Sequence, residues 1–143
     1  MSKIITIACD HAGYDLKNAL KKEILNMGFE VIDCGTNSSE SVDYPDFAKL
    51  AVDNILKKKS DIAVLICGSG IGMSITANRF NGIRAALCRN ANDAKLARQH
   101  NNANILTLSG RQIDVDEAKN CFKIFINTSF DGGRHQKRVK KID

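Results

Sequence analysis

No part of the 143-residue sequence approaches the roughly 18 consecutive apolar residues that a membrane-spanning helix needs. Its five cysteines are odd in number, widely separated and never arranged as Cys-x-x-Cys. They fit neither a disulfide framework nor a structural zinc site, and they favour a reducing compartment. The first residues also lack the small-residue cleavage site of a signal peptide. The sequence therefore predicts a cytoplasmic protein that does not bind a membrane.

Positive and negative charges are nearly balanced over most of the chain. The net charge of +5 comes from 21 Lys and Arg against 16 Asp and Glu. Residues 134–143 hold five of these cations and one acid, which leaves 16 cations against 15 acids elsewhere. No helix-turn-helix, zinc-finger or aromatic-interleaved pattern accompanies the basic end, so we expect no nucleic-acid partner. A solvated basic tail remains the alternative for this segment.

What the sequence does contain is a regular alternation of apolar strands and amphipathic helices. Repeated βα units of this length predict a parallel sheet with helices on both faces. We therefore expect one α/β domain over residues 1–143, a three-layer α/β/α sandwich with a five-stranded, Rossmann-like sheet. The predicted strands are 4–9, 29–34, 62–66, 83–88 and 104–108, and the main predicted helices are 14–27, 43–59, 71–80, 91–100 and 114–128. Ligands of such sheets bind at the carboxyl ends of the strands, near the switch point.

The third predicted strand runs directly into a cysteine and a glycine-rich turn, Cys67-Gly68-Ser69-Gly70-Ile71-Gly72. Glycines let the backbone approach a ligand closely, and N–H groups at the start of a helix attract an anion. The turn is neither a Walker A loop nor a serine nucleophile elbow. No Asp or Glu lies between Asp61 and Asp93, so a base from this segment cannot be a carboxylate. Cys67 is the candidate base, because the N–H groups of the turn favour its thiolate.

Polar side chains follow the other strands as well, and several of them can converge at one edge of the sheet. They are Asp10 and His11, Arg89 and Asn90, and Ser109 and Arg111, with His100 and Asn101 at the end of the fourth predicted helix. Each of these residues, like Cys67, can also be explained by a structural role without any part in catalysis or binding. Asp10 can cap a helix, His100 can be a charge at a helix end, and Cys67 can be a small buried hydrophobe.

The basic segment contains a pair of arginines at helical spacing. Arg134 and Arg138 are four positions apart, so on a helix they share a face. Gly132 and Gly133 directly before them allow the chain to turn away from the preceding helix. Two guanidinium groups placed in this way can grip one phosphate through charge-assisted hydrogen bonds.

Taken together, these motifs resemble the type B ribose-5-phosphate isomerases, which are related to the galactose-6-phosphate isomerase subunits. The resemblance covers essentially the whole chain in order. The segments that carry it are Cys9-Asp10-His11, Asp33-Cys34-Gly35-Thr36, Val42-Asp43-Tyr44-Pro45, Ile66-Cys67-Gly68-Ser69-Gly70-Ile71-Gly72, Ala77-Asn78-Arg79-Phe80, Gly82-Ile83-Arg84-Ala85, Ala97-Arg98-Gln99-His100-Asn101 and Gly132-Gly133-Arg134-His135. One subgroup of the family uses a glutamate from the helix after the turn. This chain has no carboxylate there, so it resembles the cysteine-base subgroup.

The resemblance implies the interconversion of ribose 5-phosphate and ribulose 5-phosphate through an enediolate, in the non-oxidative pentose phosphate pathway. It implies a homodimer or a dimer of dimers, with active sites built from both subunits and no metal or organic cofactor. By the same resemblance, Cys67 removes the proton from carbon 2, Ser69 relays protons, and His100, helped by Asp10, opens the furanose ring. The implied substrate-binding residues are Asp10, His11, Tyr44, the anion hole Gly68, Ser69, Gly70, Ile71 and Gly72, then Asn101, Arg111, Arg134 and Arg138. Of these, His11, Arg134 and Arg138 hold the phosphate, so the basic segment 131–143 completes the phosphate site.

Three other functions stay open from the sequence. An isomerase of a 6-phospho-hexose, such as allose or galactose 6-phosphate, needs the same groups and a deeper pocket, and the sequence does not give pocket depth. A non-catalytic phosphosugar-binding module explains the turn and the arginines but leaves Cys67 and His100 without a role. Nucleic-acid binding through the basic tail predicts a steep salt dependence of duplex affinity.

Overall fold

The computed structural model describes residues 3–143, so the first two residues of the predicted domain lie outside the described part. Across this range the chain forms a five-stranded, all-parallel sheet in the order β2-β1-β3-β5-β4. The strands are β1 Ile4–Cys9, β2 Glu30–Asp33, β3 Ile62–Cys67, β4 Ala85–Leu87 and β5 Ile105–Ser109. The predicted five-stranded parallel sheet is confirmed, although β2 and β4 are shorter than the apolar pattern indicated.

Six α-helices and one 3₁₀ turn, His11–Gly13, connect and follow these strands within residues 3–143. The helices are α1 Tyr14–Asn26, α2 Tyr44–Leu56, α3 Ile71–Ala77, α4 Ala91–Asn101, α5 Val115–Asn127 and α6 Arg134–Lys140. Parallel strands need crossover connections of this kind, because a short turn cannot return the chain to the same end of the sheet. No helix in the described range is long and apolar enough to cross a membrane.

The central strand shows how the sheet is covered on both faces. Along β3, Ile62, Val64 and Ile66 point into one core cluster, with side chains of α1, α4 and α5. The alternate side chains, Leu65 and Cys67 among them, point into a second cluster with α2 and α3. All six residues of β3 are buried, as a continuous apolar strand in a parallel sheet requires. The predicted three-layer α/β/α arrangement is therefore confirmed.

The strand order decides which loops meet. The chain places β2 on one side of β1 and β3 on the other, so the topological switch point lies between β1 and β3. On the other side of β3 lies β5 rather than β4, and Ser109 at its end pairs in register with Cys67. The segments after β1, β3 and β5 therefore lie side by side at one edge.

Candidate active site

The glycine-rich turn at the end of β3 exposes backbone donors beside a thiol. Cys67 is only 4% exposed and packs in the second core cluster. Gly70 has a φ of 77°, a left-handed conformation that glycine adopts without strain, and it is the N-cap residue of α3. Within residues 3–143, the backbone N–H groups of Gly68, Ser69 and Gly70 donate to no hydrogen-bond acceptor. They are donors available to an anion.

The side chain of Ser69 is partly committed to the turn itself. Its Oγ accepts a hydrogen bond of 3.1 Å from the backbone N–H of Ile71. The hydroxyl hydrogen is therefore directed elsewhere and can be donated. Of the predicted anion hole of residues 68–72, the Ile71 N–H already has an acceptor. The donors that lie in the turn before α3 are those of Gly68, Ser69 and Gly70.

Three hydrogen bonds from the end of β5 hold the turn in place. The Gly110 N–H donates to the Cys67 carbonyl at 2.8 Å, and the Arg111 N–H donates to the Gly68 carbonyl at 3.1 Å. The Ser109 hydroxyl donates to the same Gly68 carbonyl at 2.9 Å. Ser109 is 7% exposed, and its part in fixing the turn was not predicted from the sequence. A rigid turn keeps its donors aligned without reorganisation, which is what transition-state stabilisation requires.

Asp10 follows β1 directly and lies beside the end of β3. Its carboxylate accepts hydrogen bonds from the N–H groups of Ala12, at 3.0 Å, and Gly13, at 3.2 Å. The alternative of a capping role for Asp10 is therefore confirmed, although the cap belongs to a 3₁₀ turn. Its own N–H donates to the Ile66 carbonyl at 3.2 Å. Asp10 is 6% exposed, and its role in ring opening stays a prediction.

His11 is held by a backbone group that sequence reasoning missed. Its Nδ1 accepts a hydrogen bond of 3.2 Å from the N–H of Val42. An imidazole nitrogen that accepts carries no proton, so the ring proton of His11 lies on Nε2. That Nε2–H is a donor suited to a phosphate oxygen. The quoted motif Val42-Asp43-Tyr44-Pro45 contains the donor, but no local pattern indicates its partner.

Tyr44 and Arg111 lie against the turn. A Cβ added at Gly72 would be 2.5 Å from Cζ of Tyr44, so the tyrosine ring occupies the space in front of Gly72. A Cβ added at Gly68 would be 3.2 Å from Nη1 of Arg111. We call the residues gathered here the carboxyl-edge cluster: Asp10, His11, Tyr44, Cys67, Gly68, Ser69, Gly70, Ile71, Gly72 and Arg111.

His100 and Asn101 do not join this cluster within one chain, because α4 returns to the amino ends of the strands. The Ala63 N–H donates to the Asn104 carbonyl and the Asn104 N–H donates to the Arg84 carbonyl, which places residue 104 at the start of β3 and β4. The length of β5 then separates this edge from Ser109, about 15 Å at the usual rise per residue. His100 therefore lies at the opposite edge of the sheet from Cys67.

The arginines of α6 lie at that same edge. The Asp131 N–H donates to the Gln99 carbonyl at 3.0 Å, which ties the segment before α6 to the end of α4. A cavity of about 420 Å³ is lined there by His100, Asn101 and Arg138, among others. Arg134 stands one turn before Arg138 on α6, so the predicted helical pair is confirmed. We call His100, Asn101, Arg134 and Arg138 the amino-edge cluster.

Two other strand-end residues are outside both clusters. Arg89 is exposed, and its Nε–H donates to the Asp93 carboxylate at 3.2 Å. Asn90 caps α4, because its side-chain oxygen accepts from the Asp93 N–H at 2.9 Å. Both residues follow β4, which is the outermost strand of the sheet and is separated from β3 by β5. They therefore lie away from Cys67.

The fold is that of an α/β enzyme, and it places a thiol and available backbone donors at the carboxyl ends of parallel strands, next to a topological switch point where ligands of such sheets bind. A family model described as Ribose/Galactose Isomerase matches residues 5–142, and the chain belongs to this family. The resemblance read from the motifs is thereby confirmed.

Relatives and solved structures match nearly the full length of this chain. Ribose-5-phosphate isomerase B of Escherichia coli is 41% identical over 140 residues, which cover 98% of this chain and 94% of that protein. A crystal structure of a ribose 5-phosphate isomerase from Thermotoga maritima aligns with a TM-score of 0.97 and 54% identity, covering 98% of this chain and 97% of that one. A ribose-5-phosphate isomerase B structure from Mycoplasma genitalium, with bound ribulose-5-phosphate, aligns with a TM-score of 0.94 and 42% identity, covering 97% and 93%.

Proposed function

We propose that the chain interconverts D-ribose 5-phosphate and D-ribulose 5-phosphate, as a cytoplasmic enzyme of the non-oxidative pentose phosphate pathway. Its family and its full-length relatives named for this reaction support the assignment. The observation that carries the proposal is the Cys67 thiol at the end of β3, beside the N–H groups of Gly68, Ser69 and Gly70. A base next to fixed oxyanion donors is what aldose–ketose isomerisation needs.

The chemical step follows from that arrangement. The Cys67 thiolate takes the proton from carbon 2 of the open-chain aldose, and the C–H electrons form the C1–C2 double bond of an enediolate. The carbonyl electrons move to the oxygen of carbon 1, where the N–H donors stabilise the negative charge. Each such donor is worth about 3 kcal/mol in comparable sites. Ser69 moves the hydroxyl proton from one oxygen to the other, and the Cys67 thiol returns its proton to carbon 1.

The phosphate and the sugar ring need groups from both edges of the sheet. The Nε2–H of His11 donates to a phosphate oxygen in the carboxyl-edge cluster. The other groups belong to the amino-edge cluster. Within one chain, the length of β5, about 15 Å, separates that cluster from the carboxyl-edge cluster. A second copy of the chain supplies them, so the site of one subunit is completed by its partner's amino-edge cluster. His100, assisted by Asp10 across this interface, opens the furanose ring.

Replacement of Cys67 tests the proposed base. We expect Cys67→Ala to lower kcat by about 10³-fold, in the range that general acid–base catalysis contributes, with an unchanged fold. The half-buried thiol of Cys34 offers the control Cys34→Ser, which should retain activity. Proton exchange at carbon 2 in deuterated water gives an independent readout. Near-normal turnover and exchange in Cys67→Ala would show that another group is the base.

Mixing two inactive variants tests the shared site. Cys67→Ala and His100→Asn are each expected to be inactive as homodimers. After subunit exchange of an equal mixture, half of the dimers contain one of each chain, and one of their two sites is intact. Activity should therefore return to about a quarter of the wild-type value in a two-fold symmetric dimer. No recovery, with exchange verified by mass, would place both groups in a site within one chain.

A second candidate substrate is a 6-phospho-hexose, because the family description includes galactose. The same base and oxyanion donors serve both reactions, and one additional carbon must fit between the turn and the phosphate groups. Comparison of kcat/KM for ribose 5-phosphate with that for allose and galactose 6-phosphates decides between them. We expect the pentose phosphate to have the higher value.

A further inference from the structure

One member of the amino-edge cluster, His100, and two neighbouring side chains form a set of metal ligands. One ligand atom from each of His100, Asp131 and His135 lies within 4.8 Å of the other two. Two imidazole nitrogens and a carboxylate oxygen are donors that Zn²⁺ commonly accepts, with a water as fourth ligand. We propose that these three residues bind a divalent transition-metal ion such as Zn²⁺, and that the bound ion inhibits the enzyme by occupying His100.

The three residues come from different parts of the fold, and backbone contacts hold them together. His100 lies in the last turn of α4, Asp131 lies between α5 and α6, and His135 is on α6. The Asp131 N–H donates to the Gln99 carbonyl at 3.0 Å, next to His100. Gly132 and Gly133 have φ values of 67° and 55°, so the chain turns sharply between the two later ligands. This turn brings Asp131 and His135 to the same side of α4.

The imidazole rings are already adjacent. His100 and His135 are stacked, with centroids 4.4 Å apart and an angle of 12° between the ring planes. Zinc–nitrogen bonds of 2.0–2.1 Å in a tetrahedral site place neighbouring ligand atoms about 3.3 Å apart. Stacked rings direct their in-plane lone pairs nearly parallel to each other, so one ring must rotate out of the stack for both nitrogens to reach one ion. A cavity of about 420 Å³, lined by His100 and His135, lies next to these rings.

The charged groups around the site act on a bound cation in opposite directions. Desolvation, followed by the nearby His100, Arg134 and Arg138, lowers the pKa of His135, and Asp131 partly offsets this. The same arginines repel a cation, and the Asp131 carboxylate compensates only in part. We expect a reversible site, weaker than a structural zinc site with four protein ligands.

The inhibitory half of the proposal rests on the proposed function, because it requires His100 to act in ring opening. The binding half does not, since it depends only on the three ligands. An ion on His100 occupies the nitrogen that would transfer the proton. Substrate added in the cyclic form should therefore be converted more slowly when the ion is bound.

Zn²⁺ titration of the chelator-treated full-length protein, followed by calorimetry without substrate, measures binding directly. We expect one ion per chain, binding at least tenfold weaker in Asp131→Asn and His135→Gln, and unchanged binding in Cys67→Ala. Asp131→Asn should keep the metal-free activity of the wild type. The Zn²⁺ concentration that halves this activity should rise at least tenfold in the same variant.

Co²⁺ in place of Zn²⁺ distinguishes this site from the other candidate ligand, the Cys67 thiol. We expect visible absorption without a thiolate charge-transfer band, and its loss in His135→Gln. A charge-transfer band that disappears in Cys67→Ala would overturn the proposal, as would an absence of Zn²⁺ binding at millimolar concentration. Binding without inhibition of an active enzyme would overturn the inhibitory half. An inactive metal-free wild type would instead contradict the proposed function and leave the calorimetric result standing.

Discussion

The backbone N–H of Val42 donates to Nδ1 of His11 at 3.2 Å, across 31 positions of the sequence. This bond fixes the ring proton on Nε2 and thereby the direction in which His11 donates. The segment that carries Val42 is anchored at its start by the fully buried Lys17. The Lys17 ammonium group donates to the Asp33 carboxylate at 3.0 Å and to the Thr36 carbonyl at 2.8 Å. An ion pair between the buried Lys17 and the partly buried Asp33 therefore anchors the start of the segment that carries Val42.

Two replacements of His11 separate its acceptor from its donor. Asparagine keeps an oxygen near the Nδ1 position for the Val42 N–H but has no donor at the Nε2 position. Glutamine places its amide N–H near Nε2. We expect His11→Asn to raise KM for the sugar phosphate by about tenfold or more, the cost of a lost hydrogen bond to a charged group, and His11→Gln to raise it less. Steady-state kinetics measure this, and equal effects of the two variants would contradict the assigned proton position.

Because Gly72 and Tyr44 are close together, we expect replacements of the two residues to have coupled effects on KM. In Gly72→Ala the new methyl group collides with the Tyr44 ring, whose atoms Cε1 and Cζ lie 2.5 Å from the Cβ position. Tyr44 is 39% exposed and can swing away, so we expect KM to rise while the free energy of unfolding changes by less than about 1 kcal/mol. The double variant with Tyr44→Ala should cost less than the sum of the single variants, because residues in contact are not independent. Strict additivity in KM would show that the two residues do not interact.

Gly70 is predicted to be intolerant of any side chain. Its φ is 77°, and an added Cβ would lie 2.5 Å from Cδ1 of Leu87 and 3.1 Å from the Leu108 carbonyl oxygen. Gly28 provides a matched control, since its φ is 91° but nothing lies within 4 Å of its Cβ position. Both Gly→Ala variants carry backbone strain of about 1 kcal/mol or more, and Gly70→Ala adds the collision. Urea unfolding should therefore show the larger loss of stability for Gly70→Ala.

The hydrogen bonds and ion pairs of Asp33 lead us to expect that the free energy of unfolding depends on pH in the acid range. Burial acts to raise its pKa, but the Gly35 N–H, Lys17 and Lys21 outweigh it, and the pKa lies below the ordinary 3.8. The unfolded chain thus binds a proton more readily than the folded one. The resulting stabilisation is complete well above pH 3.8 and is lost as the pH falls through the folded-state pKa.

The measurement is the free energy of unfolding as a function of pH. Asp33→Asn should be less stable than the wild type near neutral pH, and the difference should shrink below about pH 4. Asp53→Asn is the control, because its pair with Lys57 is solvent-exposed and contributes little. Parallel curves for wild type and Asp33→Asn down to pH 2 would contradict the role assigned to this carboxylate.

The elements of the fold were largely predictable because their signals are local. The apolar run of β3 and the glycines after it indicated a buried strand and a turn, and the structure has both. The spacing of Arg134 and Arg138 indicated a helix, and α6 is one. The sequence did not show which strand-end residues reach the turn after β3, because this depends on the order of the strands in the sheet. Arg89 and Ser109 both follow strands, but β5 lies between β3 and β4, so only Ser109 reaches the turn.

The sequence by itself determined which chemical groups are present and the local geometry around them: a thiol at a strand end, glycines where positive φ is required, and two arginines on one helix face. These follow from alternation, helical period and backbone sterics, which involve only near neighbours. The tertiary structure alone decided that the Val42 N–H meets His11, that Ser109 fixes Gly68, and that His100 stacks on His135 at the edge opposite Cys67. Such meetings depend on strand order and loop closure over tens of residues, and those long-range choices leave no local pattern in the sequence.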